Sequence, residues 1–545
     1  MKKNAPIMML LLLPLLAGCA QKPVTLYQVD PLVKVLYCDS NFVDAPDTVC
    51  VARGESATFQ FVLTADADVS SLTASVEMDD MSDIRIGWVH DVKNTNEPSG
   101  ESDMISTPDH MYPDPIIDDD EESVAAGSHR SLWIDMDIPR DAKAGMRRGV
   151  VTVSGLINGK QVSVRKKMCM QVYPVTLPEK QALKVVNHCR EDNFRYLIDD
   201  ESFDIRSERC WDLFKMVAKA VAPYGQNTWL VTVRPTPKFN ADSTAIVYDY
   251  TLFDKEVELF QKYGNMQYFC CPYMGGRRDE DWNKPMLFTI DVIQDKTIRS
   301  MGVEYTDPRL KEFVDNYFSQ LQAHLREKGW LNICYQHIAD EPCNMGTENQ
   351  KSWSTMAGLV KAAAPEMRTI DASFEIIDNQ DVSVVLLGNN IDKMPAVPEG
   401  RERWMYTCTG PQGNFANRFV QQPLLNTRFL HWINYRWNEC GYLHWGLNIW
   451  RYCEDPLHNV TPTTNWPGGD CYIIYPGKEK VYPSIRLCAM RDGIHDYDLL
   501  RMVEEKDAKK AMEWCQSLIL GPDSYDTDIA HFRAVRRQIL EYLSH

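Results

Sequence analysis

From residue 183 the chain changes its hydrophobic period: short apolar runs begin to alternate with long amphipathic stretches. The runs are Leu183 to His188, Thr228 to Val233, Met266 to Pro272, Leu331 to Ala339, Arg368 to Asp371, Val382 to Leu387, Arg403 to Thr407 and Gly441 to Asn448. Strands separated by helix-length segments join as parallel neighbours through crossovers, and eight of them close into a (β/α)8 barrel. The best-formed helical segment starts at Asp307, a capping residue, with Pro308 in its first turn. Leu310, Phe313, Val314, Tyr317, Leu321 and Leu325 make its apolar stripe, and Gly329 can close it.

Residues 24–178 have the shorter period of strands. From Glu55 to Leu63, Ala57, Phe59, Phe61 and Leu63 alternate with Thr58, Gln60 and Val62; further strands are expected at Ser131 to Met136 and Val150 to Ser154. Asn158-Gly159 is a hairpin turn that returns the chain through Gln161 to Tyr173. These signals predict an antiparallel β-sandwich, with Asp114 to Ser123 as a solvated acidic loop and Pro174 and Pro178 bracketing a stiff connector. The expected order is a leader over 1–19, the sandwich over 24–178, the barrel over 183–500 and a helical tail over 501–545, the two main units folding separately.

Lys2 and Lys3, the apolar run from Ile7 to Leu16 and Leu16-Ala17-Gly18-Cys19 form a processing signal, too short and proline-broken for a comfortable span. The last four residues resemble a bacterial lipobox, which implies cleavage before Cys19 and lipidation of that cysteine, hence a chain tethered to the cell envelope. Ala20-Gln21-Lys22-Pro23 carry no acidic run, which favours an outer membrane and its periplasmic face while leaving surface exposure open. A formal charge of −18 disfavours nucleic acid as a partner. Without Cys19 the 16 cysteines become an odd set; Cys38 and Cys50 could bridge, while Cys270 and Cys271 read as small core hydrophobes.

In a parallel barrel the chemistry sits at the carboxyl ends of the strands. The fourth run ends in Ile338-Ala339-Asp340-Glu341-Pro342, two adjacent carboxylic acids followed by a proline that stops the ladder; the same pair also suits the start of the next helix. The other strand ends supply His188, Arg234, Tyr273, Asp371, Asn389, Tyr406, Trp445, Asn448 and Trp450 as candidate substrate contacts. Carboxylates, amides and large aromatics suit a sugar, whose C–H faces stack on rings while its hydroxyls need paired donors and acceptors. Each candidate has a structural alternative: His188 as a core histidine, Arg234 as an ion-pair partner, Asp371 as a helix cap, Trp445 and Trp450 as packing.

Ile338-Ala339-Asp340-Glu341-Pro342, the run from Tyr475-Pro476-Gly477 through Pro483-Ser484-Ile485-Arg486-Leu487 to Arg491-Asp492-Gly493-Ile494-His495-Asp496-Tyr497-Asp498-Leu499-Leu500, and the Trp133 to Gly155 segment resemble glycoside hydrolase family 123. Cys488 and His495 depart from the acidic residues common in that run. The resemblance implies a β-N-acetylgalactosaminidase that needs no metal or organic cofactor. It also implies that Asp340 holds the sugar's 2-acetamido group and Glu341 acts as acid/base in a substrate-assisted, retaining reaction. A broader or gluco-specific β-N-acetylhexosaminidase and a non-catalytic glycan-binding lipoprotein are the alternatives.

Overall fold

The computed structural model describes residues 23–545 except 46, 101–103, 120, 199–202, 280 and 343–345. The leader and Cys19 lie outside the described residues, and among these no helix is long and apolar enough to cross a membrane.

All eight expected runs form strands: β1 Lys184–Asn187, β2 Thr228–Leu230, β3 Tyr268–Cys271, β4 Cys334–His337, β5 Arg368–Ser373, β6 Val382–Leu386, β7 Glu402–Tyr406 and β8 Gly441–His444. They pair in parallel in the sheet order β1-β8-β7-β6-β5-β4-β3-β2. At the seam between β1 and β2 side chains take over most of the ladder, beside one backbone bond from Asn227 N–H to the Val185 carbonyl at 3.3 Å. Val185 N–H donates to Asn227 Oδ1 at 2.8 Å, and Asn187 N–H to Gln226 Oε1 at 3.3 Å. Val186, Leu230, Cys270, Tyr335, Ile370, Val384, Trp404 and Leu443 fill the interior.

The outer helices are α1 Glu208–Val221, α2 Thr251–Tyr263, α3 Pro308–Glu327, α4 Glu348–Ala363, α5 Leu424–Arg436 and α6 Ile485–Leu518. In α3 the cap is as expected: Asp307 accepts from Arg309 N–H, and the stripe from Leu310 to Leu325 is buried. The helix ring is incomplete, a departure from a full (β/α)8 pattern. The β5–β6 link, residues 374–381, is too short for a helical crossover, and the β6–β7 link holds only a 3-10 turn, Ile391–Lys393. Gly388, Pro395, Pro398 and Gly400 in the second link oppose helix.

The first region consists of two five-stranded sheets. Val24–Val29, Ser56–Ala65, His129–Asp137, Ile84–Lys93 and Met111–Ile117 make one; Thr48–Arg53, Lys160–Thr176, Gly145–Ile157, Val69–Met78 and Glu122–Val124 make the other. One apolar cluster, with Leu26, Phe59, Phe61, Leu132, Val151, Val153 and Met170, draws on both. Pairing is antiparallel except that Thr48–Arg53 runs parallel to Lys160–Thr176, against the all-antiparallel expectation. Asn158 and Gly159, at φ 49° and 73°, make the expected turn. Pro174 sits inside a strand rather than beyond one, and the register shifts between Val172 and Thr176, where its missing N–H breaks the ladder.

Thr58 on the polar face of Ser56–Ala65 and Asp114 at the start of the acidic stretch meet the barrel rather than water, whereas Asp118, Asp119, Glu121 and Ser123 are exposed, so the solvated insertion is shorter than expected. Asp114 is fully buried and accepts from Arg486 Nη2 at 2.7 Å, while Glu122 is buried against His90 and Arg130. Thr58 accepts from Arg491 Nη2 at 3.0 Å. A carboxylate this deep stays charged only beside a cation. A single apolar cluster also runs from Val92, Tyr112 and Trp133 into Leu213, Tyr475, Ile485 and Leu500. Helix α6 crosses residue 500 and kinks at Asp507; a hairpin, Ile519–Gly521 with Ser524–Tyr525, leads to α7, Ile529–Leu543. From α7, Arg536 reaches both Glu55 and Asp496. Cys38 and Cys50 are unpaired, correcting the possible bridge: Cys38 is exposed, and Cys50 Sγ turns to the Thr48 carbonyl at 3.5 Å.

Because one apolar core joins the two regions, heat should unfold them in a single cooperative calorimetric transition, not as separate units. Two resolved transitions would show that the junction contributes little.

Candidate active site

Past the end of β4 the backbone is gripped from both sides. The Ile338 carbonyl accepts the N–H groups of Met274 (3.0 Å) and Gly275 (3.1 Å), and Asp371 Oδ2 accepts those of Ile338 (2.9 Å) and Ala339 (3.2 Å). Asp340 and Glu341 follow directly. Glu341 has φ of 45°, a left-handed conformation rare for a side-chain-bearing residue and further restricted by Pro342 behind it. Such strain persists only where neighbours hold the chain in place. Glu341 Oε1 accepts from Tyr406 O–H at 2.9 Å and Oε2 from Arg277 Nη1 at 3.1 Å. Asp340 Oδ2 lies 3.9 Å from the same guanidinium nitrogen. The Asp340 side chain is 52% exposed at the mouth, Glu341 19%. Partial loss of water first, then the Glu341 charge, push the Asp340 carboxyl up to about 7, although half of the side chain still meets solvent at the mouth.

Arg277 comes from a three-stranded ribbon inserted between β3 and α3: Gly275–Gly276, Leu287–Gln294 and Thr297–Val303. A Cβ on Gly275 would lie 2.4 Å from the Leu287 carbonyl oxygen, so only glycine lets the ribbon close this tightly. The Arg277 guanidinium lies over Trp282 at 4.5 Å. Beside the pair, Tyr273 stacks on His337 (4.2 Å, 21°), and the His188 ring stands edge-on to both at 6.2 and 5.8 Å. His188 and His337 each bury an Nε2 without a protein partner. Burial holds His188 well below the usual imidazole range.

Of the expected residues, Asp340, Glu341, Tyr406, Tyr273 and His188 thus converge. Trp445 stands half-exposed past β8, its Nε1 donating to Asp470 at 2.9 Å and its ring against Tyr452 and Trp466. The others are engaged elsewhere in the fold. Arg234 lies over Phe313 and Tyr317 of α3 and pairs with Asp291 at 3.5 Å. Asp371 is fully buried: besides the two backbone groups it takes His337 Nδ1 and Trp353 Nε1, each at 2.7 Å, so it braces the strand end from inside. Asn389 donates to the Phe374 carbonyl, tying two loops together. Asn448 clasps Arg190 through both its backbone groups (2.8 and 3.0 Å), and Trp450 is core, bonded to the Ile474 carbonyl at 2.9 Å. Arg277 and His337 escaped the sequence reading. Gly275-Gly276 before Arg277, just past β3, was the available signal, since paired glycines there mark a close backbone approach. Among the described residues no three His, Cys, Asp or Glu side chains converge as a metal-binding group.

Residues 204–503 match the family described as "Glycoside hydrolase 123, catalytic domain". A family 123 glycoside hydrolase from Clostridium perfringens, studied for glycolipid glycan hydrolysis, superposes with a TM-score of 0.73 at 17% identity, over 95% of this chain and 98% of that one. That likeness shows the fold. A family 20 exo-β-N-acetylglucosaminidase from Vibrio harveyi (TM-score 0.24, 8% identity, 75% and 86% covered) and an endo-β-1,4-mannanase from Thermotoga petrophila (0.32, 11%, 59% and 77%) align too loosely to carry an argument. No curated protein matches the chain.

Proposed function

Because the chain belongs to glycoside hydrolase family 123, we propose that it is an exo-acting enzyme releasing β-linked N-acetylgalactosamine from glycans or glycolipids with retention. The 2-acetamido oxygen of the substrate serves as the nucleophile. The observation that carries this reading is that the carboxylates at the mouth are consecutive, while Asp371 and Asp470 near it are fully buried. A retaining enzyme with its own nucleophile needs two carboxyl groups about 5 Å apart across the sugar, and substrate assistance is the exception that does not. Two neighbours on one strand end approach the sugar from one side.

In this scheme ionised Asp340 accepts the acetamido N–H, aims the carbonyl oxygen at the anomeric carbon and offsets the positive charge of the oxazoline-like intermediate. Glu341, held by Tyr406, gives its proton to the leaving oxygen and then takes one from the attacking water. Trp445, partly exposed past β8, supplies a stacking face for the sugar. Cys19, by its leader, anchors the enzyme to the envelope membrane, the periplasmic face of the outer membrane being favoured.

The test is a panel of aryl β-glycosides of N-acetylgalactosamine, N-acetylglucosamine and galactose. The first should be cleaved fastest and the last not at all. Equal cleavage of the first two would make the enzyme a broader hexosaminidase, and binding without any turnover would make it a glycan-binding protein. The acid must still hold its proton, so with Asp340 at about 7, kcat/KM should fall as pH rises past neutrality and the pair loses its last proton. A rate that keeps rising through pH 9 would contradict this.

A further inference from the structure

The ribbon after β3 brings to the acidic pair a cation to which the scheme above gives no role. Resting on that scheme, we propose that Arg277 is a positioning residue: it keeps the resting charge on Glu341, leaves the proton with Asp340, and so sets the pH window of the pair. Its Nη1 is 3.1 Å from Glu341 Oε2 but 3.9 Å from Asp340 Oδ2, and Tyr406 adds a second donor to Glu341 at 2.9 Å. Two donors, one of them charged, favour the ionised form of the group they reach. The arginine is fixed in turn: its side chain is 15% exposed and lies over Trp282, and its ribbon is bonded to the Ile338 carbonyl three residues before Glu341. Ribbon and carboxylates are therefore one mechanical unit.

Turnover needs the opposite distribution, with the charge on Asp340 and the proton on Glu341. An acetamido N–H arriving at Asp340 favours that exchange. One O–H bond breaks at Asp340 and one forms at Glu341, with no net proton gained or lost. A glycoside lacking this N–H supplies no such pull, which makes the resting state a check on the substrate.

Arg277→Met keeps bulk over Trp282 and removes the charge; Arg277→Lys keeps the charge without the fork. A nearby cation lowers a carboxyl by roughly one to three pH units. Both limbs of the kcat/KM profile on an aryl N-acetyl-β-galactosaminide should therefore move up by about one unit or more in the Met variant. In the Lys variant they should stay near the wild-type positions. Loss of rate with unmoved limbs would overturn the proposal and leave Arg277 a structural brace. Carbodiimide-and-amine labelling of the peptide bearing Asp340 and Glu341, followed by mass spectrometry across pH, reads the same ionisation without turnover. Its midpoint should rise in Arg277→Met, and an unmoved midpoint overturns the proposal. Should wild type cleave no 2-acetamido glycoside, the proposed function fails while this midpoint still decides the role of Arg277.

Discussion

Glu341→Gln should lower kcat/KM on substrates with a sugar leaving group by roughly 10²–10⁴-fold, about 3–5 kcal/mol of transition-state stabilisation. The amide keeps the size of the side chain and can still meet Tyr406, but it has no proton to give the departing oxygen. The loss should shrink on aryl glycosides with good leaving groups, because a nitrophenolate departs without protonation. Steady-state kinetics across a series of phenols of falling pKa is the measurement. A loss that stays constant along the series would remove Glu341 from the role of acid and move the search to another donor.

Asp340→Asn should fail differently, with a loss of roughly 10²–10³-fold that persists whatever the leaving group. The variant keeps the shape of the site and removes the charge that offsets the developing oxazolinium. A thiazoline mimic of the cyclised sugar should inhibit wild type strongly and the variant weakly, since it resembles the intermediate and not the substrate. If galactosides without the acetamido group were cleaved as fast as those with it, substrate assistance would be wrong. Asp371 would be a poor replacement nucleophile: four donors already hold its carboxylate in the protein interior.

The barrel was legible from residue order because a strand's period and a helix's period are local properties. β4 with its following acids, the α3 stripe and the Asn158-Gly159 turn all depend on neighbours within a few positions. A full (β/α)8 pattern implies helices after β5 and β6 as well; the first of these links, residues 374–381, is too short for one, and Gly388, Pro395, Pro398 and Gly400 oppose helix in the second. The fates of polar side chains were the weaker part. Asp114 looked like loop acid and is a buried partner of Arg486, 372 positions away; Arg234 looked like a site residue and packs on α3.

Sequence alone therefore determined the eight strands, the placement of Asp340 and Glu341 at the end of the fourth, and the hairpin of the first region, all set by short-range pattern and backbone sterics. Tertiary structure alone decided which groups meet that pair. Tyr406 arrives from a strand 65 positions on, Arg277 from a ribbon 64 positions back, and Asp371 is turned inward to hold the strand end. Hydrogen bonds and ion pairs act over about 3 Å in space whatever the separation along the chain. No local period encodes which distant side chain will fill that distance.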